Sequence, residues 1–555
     1  MISHFSRPDF ATHRTTFLVF ILMTALCGVA GAAQVTEVIH EGGFSAAQLT
    51  WDQDGSGQVI PVLPRTQRLS QPGLPDLPVR DLLFLVPAEW KVTDVQIEPL
   101  GSHLEKVPGT LATSGPLAAS SGEFITTPRL VRKSGAFPGA WGEFKGTHAW
   151  RGYQLIAVGL HPLRETGEGL EFLDAFAIVV TREQGAGSPA ILQRERFVPG
   201  EKAANQAVLS RLVENPEKLA SYSRPAGQVV AKSEGGFQPT RTPSLSGSPV
   251  DFVIITNEAL APEFQRLADH KTAQGINTLV TTREFIAANF RNGSDIQETI
   301  RMFLQDAYAK WGTEYVLLGG DSDILPPRMI TNSFYPASGE TDIPVELYFA
   351  GLDGNWNADG DAFYGEPGVS LLTGDQADFA EELYIGRAPV STPEAAQVFV
   401  DKTIGYETTP AESLWPSRVL YASEVLFPSE YIPGGLITLD GAQFSDQMVN
   451  DLVDPCTDMS KTRMYETDAL FPMDAPLTKD ALVDSLNSGH YGIFNQIGHG
   501  YYFNMSVGDG NFRTSDADNL TNTGRPFVLF SLNCASCAFD YSCLMERFMQ
   551  NANGG

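Results

Sequence analysis

The sequence predicts an α/β protein: two consecutive subdomains built on mostly parallel sheets, preceded by a β-rich, sandwich-like domain. Between Gln34 and Arg182, short apolar runs are punctuated by Gly and Pro, with no long helical pattern among them. From Phe252 onward, continuous apolar runs alternate with amphipathic helical patterns, the mark of parallel strands covered on both faces. The 555 residues leave room for three to four domains at about 150 residues each.

The first element is a targeting segment. Arg7, His13 and Arg14 precede an apolar run from Phe17 to Val29, and Ala30-Gly31-Ala32 supplies a small-residue cleavage site. Residues 1–32 are therefore expected to be an export signal cut after Ala32. The run is shorter than the roughly 20 residues a membrane span needs. Leu26 stands where a lipid-attachment site at Cys27 would want a small residue. A secreted or cell-surface protein follows, with no transmembrane segment expected in the mature chain.

Residues 33–222 form the β-rich domain. Its strands are read at Asp81–Val86, Val92–Ile97, Tyr153–Leu160 and Leu170–Thr181, the last with Leu170, Phe172, Phe176 and Ile178 on one buried face. Val208, Leu209, Leu212 and Val213 then recur at helical spacing. Residues 223–249, rich in Gly, Ser, Pro and Thr, read as an exposed linker, a favoured place for proteolytic nicking at Arg224 or Arg241.

The first α/β subdomain, 250–410, opens with strand Phe252–Thr256 and a helix near Pro262–Ala273. Strand Thr278–Thr282, a helix from Asp295 and strand Tyr315–Gly319 follow. The second, 411–555, repeats the rhythm: strand Ser417–Ala422, helix Gly441–Val453, strand Thr462–Glu466 and helix Lys479–Leu486. Strands Tyr491–Ile497 and Pro526–Leu532 come next, and a helix over Cys543–Gln550 ends it. Gly554-Gly555 reads as a helix cap leading to a further element, so the chain is expected to continue.

A formal charge of -28 excludes nucleic acid as a partner, because phosphate contacts need clustered Lys and Arg. With Cys27 gone, four cysteines remain: Cys456, Cys534, Cys537 and Cys543. Disulfide pairing among Cys456, Cys537 and Cys543 would leave at least one free. Zinc is disfavoured, since Cys534 and Cys537 lack a second well-spaced pair.

Two polar positions lie just past the carboxyl ends of predicted parallel strands, where open α/β sheets build sites. They are Gly498-His499-Gly500 and Asn533-Cys534. A thiol needs a base to become a nucleophile, and imidazole is the usual one. The flanking glycines would let the backbone approach a substrate, with the Gly500 N–H available to an oxyanion. A small buried Cys and a structural His remain the plain alternative.

These segments resemble the gingipain-type cysteine peptidases. The resemblance rests on Gly498-His499-Gly500 and on Asn533-Cys534-Ala-Ser-Cys-Ala-Phe539-Asp540-Tyr541 with Cys543 and Glu546 following. Tyr315-Val-Leu-Leu-Gly-Gly-Asp321 and Glu382-Leu-Tyr-Ile-Gly-Arg387 extend it. It spans roughly 249–555, and the preceding β-rich region is similar to the family's propeptide. The resemblance implies a caspase-like fold in two subdomains, with Cys534 as nucleophile and His499 as general base and acid. It further implies Glu424 as the acid that orients His499, the backbone N–H groups of Gly500 and Cys534 as oxyanion hole, and Asp440 near the substrate-specificity position. Cys537 falls where the family has a different residue.

A separate motif runs over 355–366. Asn355, Asn357, Asp359, Asp361, the Phe363 carbonyl and Glu366 stand at the ligand positions of a calcium loop, with Gly360 at the turn. A structural Ca²⁺ is expected there, and no organic cofactor. The resulting expectation is a secreted cysteine endopeptidase made as a zymogen, acting on protein or peptide substrates. Its rivals are a catalytically inactive peptidase-like surface or adhesion protein and a caspase-like cysteine hydrolase of different preference.

Overall fold

The computed structural model describes residues 33–555 except 54–56, 70–72, 115–134, 184–190, 225–226, 230–235, 332–341, 366–374, 411 and 430. The expected export signal and Cys27 lie outside the described residues, as does Glu366.

The N-terminal domain is built from antiparallel sheets. One pairs Gln34–Gly43, Gly169–Glu183 and Lys91–Glu105, and another pairs Gln67–Leu69, Leu77–Val86, Tyr153–Leu160 and Gly142–Trp150. Their inner faces share a core that includes Phe84, Ile156, Val158, Phe176, Ile178 and Val180. The expected common face of Leu170, Phe172, Phe176 and Ile178 is split. The ladder shifts register between Leu173 and Phe176, and Leu170 and Phe172 pack instead with Leu63, Leu77 and Leu163. A bulge re-aims a strand's side chains, which period-2 reading cannot foresee. In helix Glu201–Leu212 only Leu209 of the apolar positions is buried. Val213, just past the helix, is also buried, whereas Val208 and Leu212 face outward.

The first α/β unit has the all-parallel strand order Thr278–Thr282, Phe252–Thr256, Tyr315–Gly319, Tyr384–Ala388. Asp295 starts helix Ile296–Asp306 by accepting the Glu298 N–H at 2.7 Å, satisfying a donor the helix itself cannot. That helix then buries Ile300, Phe303 and Leu304, each contributing about 1.5–3 kcal/mol of apolar burial.

The second unit orders Ala475–Pro476, Ser460–Tyr465, Arg418–Ser423, Ile493–Ile497, Val528–Leu532, again parallel throughout. From Arg418–Ser423 the chain first adds Ser460–Tyr465 on one side, then returns to add Ile493–Ile497 on the other. That reversal opens a crevice at the carboxyl ends of these strands. The predicted helix Gly441–Val453 is α-helical to Met448 and ends in a π-turn over Val449–Val453. A three-stranded meander over Gly500–Arg513 was not anticipated. Helix Pro393–Glu407 joins the two units: the half-buried Lys402 Nζ donates to the carbonyls of Phe548, Asn551 and Gly554 at 2.6, 3.4 and 2.9 Å. Burial pulls its ammonium down to about 8.

The N-terminal domain is fastened to the first unit near the amino ends of its strands. Buried carboxylates accept backbone N–H groups: Asp378 from Ala149 at 2.5 Å, Glu382 from Arg151 at 3.2 Å, and Asp353 from Leu192 at 2.7 Å. Burial pushes Asp353 up to about 7 and Glu382 up to about 8.

Within the expected linker, part of the described stretch 236–249 is held in place. Arg196 donates to the carbonyls of Ser244, Leu245 and Gly247, and Trp311 donates to Thr240. Arg224 is likewise tied down, donating to the Arg151 carbonyl at 2.6 Å, whereas Arg241 is exposed over the Phe285 ring.

Candidate active site

Parallel pairing brings the two motifs together. Ile497 is in register with Leu532, and the Gly498 N–H donates to the Leu532 carbonyl at 3.2 Å. The chain therefore leaves the two strands as adjacent loops, one carrying His499 and the other Cys534. Both glycines are sterically required. A Cβ on Gly500 would lie 2.8 Å from Asn533 Cγ, and one on Gly498 would lie 2.6 Å from Glu424 Oε2.

The His499 ring is oriented by a carbonyl. Its Nε2 sits 2.8 Å from the Leu426 oxygen. A carbonyl can only accept, so Nε2 carries the proton and Nδ1 keeps the free lone pair. Phe427 packs edge-on against the ring at 5.8 Å. Glu424 contacts the histidine differently from the expectation: its carboxylate holds the backbone and makes no hydrogen bond to the ring. Oε2 accepts the His499 N–H at 3.1 Å, while Oε1 accepts Ser506 Oγ at 2.6 Å and the Gly508 N–H at 2.7 Å. This buried carboxylate thus fixes the 499–508 loop.

Cys534 is exposed, and the next residue, Ala535, has φ 53°. A non-glycine residue in the left-handed region costs on the order of 1 kcal/mol and turns the chain sharply after the thiol. Asn533 secures the other side, donating to Gln496 Oε1 at 3.0 Å and accepting from Ser536 Oγ at 2.5 Å. No hydrogen bond joins Cys534 to His499 here, as is common before substrate tightens a site. Tyr502 stacks on Tyr541 at 5.1 Å, with Tyr501, Phe503 and Tyr541 forming an exposed aromatic rim.

Asp440 lies beside this crevice, paired with Val425. Its Oδ1 caps helix Gly441–Met448 by accepting the Ala442 N–H at 2.9 Å; Oδ2 is buried without a partner, and burial raises its pKa. Sequence reasoning missed Glu466, which follows strand Ser460–Tyr465 and accepts the Val425 N–H at 2.9 Å. Burial raises its pKa, with Glu424 and Asp440 adding to the rise. Its place past a parallel strand was the available signal. Arg387, quoted above only as framework, reaches beneath the thiol loop: it pairs with Glu346 at 2.6 Å and lies over Phe539.

In the 355–366 loop, Asn355, Asp359 and Asp361 accept the N–H groups of Asn357, Asp361 and Phe363. Among the described residues Asn357 Oδ1 is buried without a partner. Among the described residues no three His, Cys, Asp or Glu side chains converge as a metal site.

An exposed thiol, an imidazole whose Nε2 is engaged and close-set backbone thus gather at the carboxyl ends of parallel strands. Residues 246–555 match the profile of Peptidase family C25, and the chain belongs to that family. Gingipain R2 of Porphyromonas gingivalis is 23% identical over 55% of this chain and 35% of its own length. Gingipain R1 is 23% identical over 58% of this chain and 27% of its own. An uncharacterized protein of Archaeoglobus fulgidus is 24% identical over 52% of this chain and 66% of its own. The chain thus spans about a third or less of the length of the gingipains it matches. Among solved structures, the complex of Porphyromonas gingivalis RgpB pro- and mature domains has a TM-score of 0.39 at 21% identity, covering 54% of this chain and 60% of that one.

Proposed function

We propose that the protein is an exported cysteine endopeptidase made as a zymogen, with a caspase-like peptidase unit and residues 33–222 as its propeptide. The observation that carries the chemistry is the Nε2 contact to the Leu426 carbonyl, which leaves His499 Nδ1 as base beside the loop of Cys534. Nδ1 takes the Cys534 proton and the thiolate attacks the scissile carbonyl carbon. Backbone N–H groups of Gly500 and Cys534 receive the oxyanion. The imidazolium returns its proton to the leaving amine, and water then hydrolyses the thioester. Glu424 acts as a positioning residue through the His499 backbone. Asp440 Oδ2, unpartnered near the crevice, favours a basic side chain in the substrate.

Activation by cleavage within 223–249 is assigned to Arg241, which is exposed, over Arg224, whose guanidinium is engaged. The 355–366 loop is proposed to hold a structural Ca²⁺, supported by the orphaned Asn357 Oδ1; no catalytic step depends on it. Labelling with a thiol-directed peptide inhibitor tests the assignment against an inactive surface or adhesion protein. Stoichiometric modification at Cys534 that also requires His499 supports it; an unlabelled chain overturns it.

A further inference from the structure

The segment after Cys534 carries two further thiols that the reaction does not use. Cys537 is exposed, whereas Cys543 is buried and caps helix Leu544–Gln550. A tight turn separates them from Cys534: the Ala538 N–H donates to the Ala535 carbonyl at 3.0 Å, and the Phe539 N–H to that of Cys537 at 2.9 Å. The chain then folds back, so that the Met545 N–H donates to the Ser536 carbonyl at 3.2 Å. This return sets Cys537 beside the start of the helix that Cys543 caps, close enough for the two thiols to influence each other.

Cys456 is not a competing partner. It precedes strand Ser460–Tyr465, at the amino end of the parallel sheet, whereas Cys537 and Cys543 lie beyond the carboxyl end of Val528–Leu532. Strands of five to six residues separate those ends by roughly 15 Å or more, too far for a disulfide.

We propose that Cys537 and Cys543 are a disulfide site whose closure clasps the Cys534 loop to the start of helix Leu544–Gln550. The oxidant is a small-molecule disulfide of the glutathione class. The exposed Cys537 thiolate attacks one of its sulfurs and expels the first thiol. The Cys543 thiolate then attacks Cys537 Sγ in the mixed disulfide and expels the second. Two protein thiols are oxidised, one external disulfide is reduced to two thiols, and the two protons pass to the leaving thiolates. The neighbouring Cys543 thiol holds that of Cys537 below its usual range, which favours Cys537 as the first attacker.

The test is peptide mapping of the full chain after equilibration with oxidised and reduced glutathione and acid quenching. Cleavage after Phe539 or Tyr541 separates the two thiols, so a link between them appears as one crosslinked species about 2 mass units lighter than the free pair. The Cys534→Ala chain is mapped in parallel and should give the same crosslink. Reductant should lower the Tm of the wild-type chain and leave that of Cys543→Ser unchanged. Recovery of Cys537 and Cys543 as separately alkylated thiols would overturn the proposal. So would a lasting glutathione adduct on Cys537, or a Cys534–Cys537 link. Because none of these readouts depends on peptide hydrolysis, their failure is distinguishable from failure of the proposed activity.

Discussion

Replacing Glu382 with Gln should flatten the pH dependence of the N-terminal domain's attachment, leaving the smaller part that Asp353 contributes. Glu382 is buried, accepts the N–H groups of Arg151 and Leu352, and sits among Asp353, Asp378 and the Arg301 guanidinium. Burial chiefly, with Asp353 adding to it, raises its pKa from the ordinary 4.5 to about 8. The folded state therefore binds more protons than the unfolded state across that window. The stability this group contributes is full below about pH 4.5 and is lost as pH rises through about 8. A rise of about 3.5 units at ~1.4 kcal/mol each sets a ceiling of ~5 kcal/mol, shared in practice with Asp353. Glutamine cannot ionise, but its NH2 group points donors at one of the two backbone N–H groups that the carboxyl oxygens accept. At pH 5 the variant should be less stable by about 1–3 kcal/mol; at pH 9 it should equal or exceed the wild type. Denaturant unfolding, with limited proteolysis of the interdomain joint, follows both chains at the two pH values. Parallel pH profiles would refute the reasoning.

Gly500→Ala must displace Asn533, so turnover should fall at least about tenfold while Tm shifts modestly, read by steady-state kinetics and calorimetry. Glu424→Gln leaves one of three donors without its acceptor; a loss of about 1–3 kcal/mol and a reduced kcat are expected, checked by chemical denaturation and rate assays. Lys402→Met strips the carbonyls of Phe548, in helix Leu544–Gln550, and of Asn551 and Gly554 beyond it of their donor, and calorimetry should show destabilisation of about 1–3 kcal/mol. Titration of metal-free protein with Ca²⁺ should raise Tm, and the rise should vanish in Asp361→Ala; an unchanged Tm would remove the metal from the 355–366 loop.

Much of the α/β architecture was legible because a parallel strand buried on both faces is written as an unbroken apolar run. Phe252–Thr256 and Tyr315–Gly319 are such runs and carry the predicted bounds; the edge strand Thr278–Thr282 carries them on its β-branched residues instead. The same regularity made the loops after strands predictable, which is how His499 and Cys534 were singled out. What the sequence withheld was pairing set by backbone groups. The Leu426 carbonyl that orients His499 has no side-chain signature, and Glu424 holds an N–H where a ring contact was expected. Residues 244–247 are held through their carbonyls by Arg196, which a composition of Ser, Pro and Gly does not signal. Likewise the bulge near Ala175 moved Leu170 and Phe172 away from Phe176 and Ile178 without altering their alternation.

In the proposed reaction the thiol of Cys534 performs hydrolysis with His499 as its base. Its most direct test is cleavage of a positional peptide library by the activated wild-type chain and by Cys534→Ala prepared identically. Cleavage by the wild type, with the variant at or below roughly a thousandth of that rate and an unchanged Tm, is the predicted result. Comparable cleavage by both chains would contradict it.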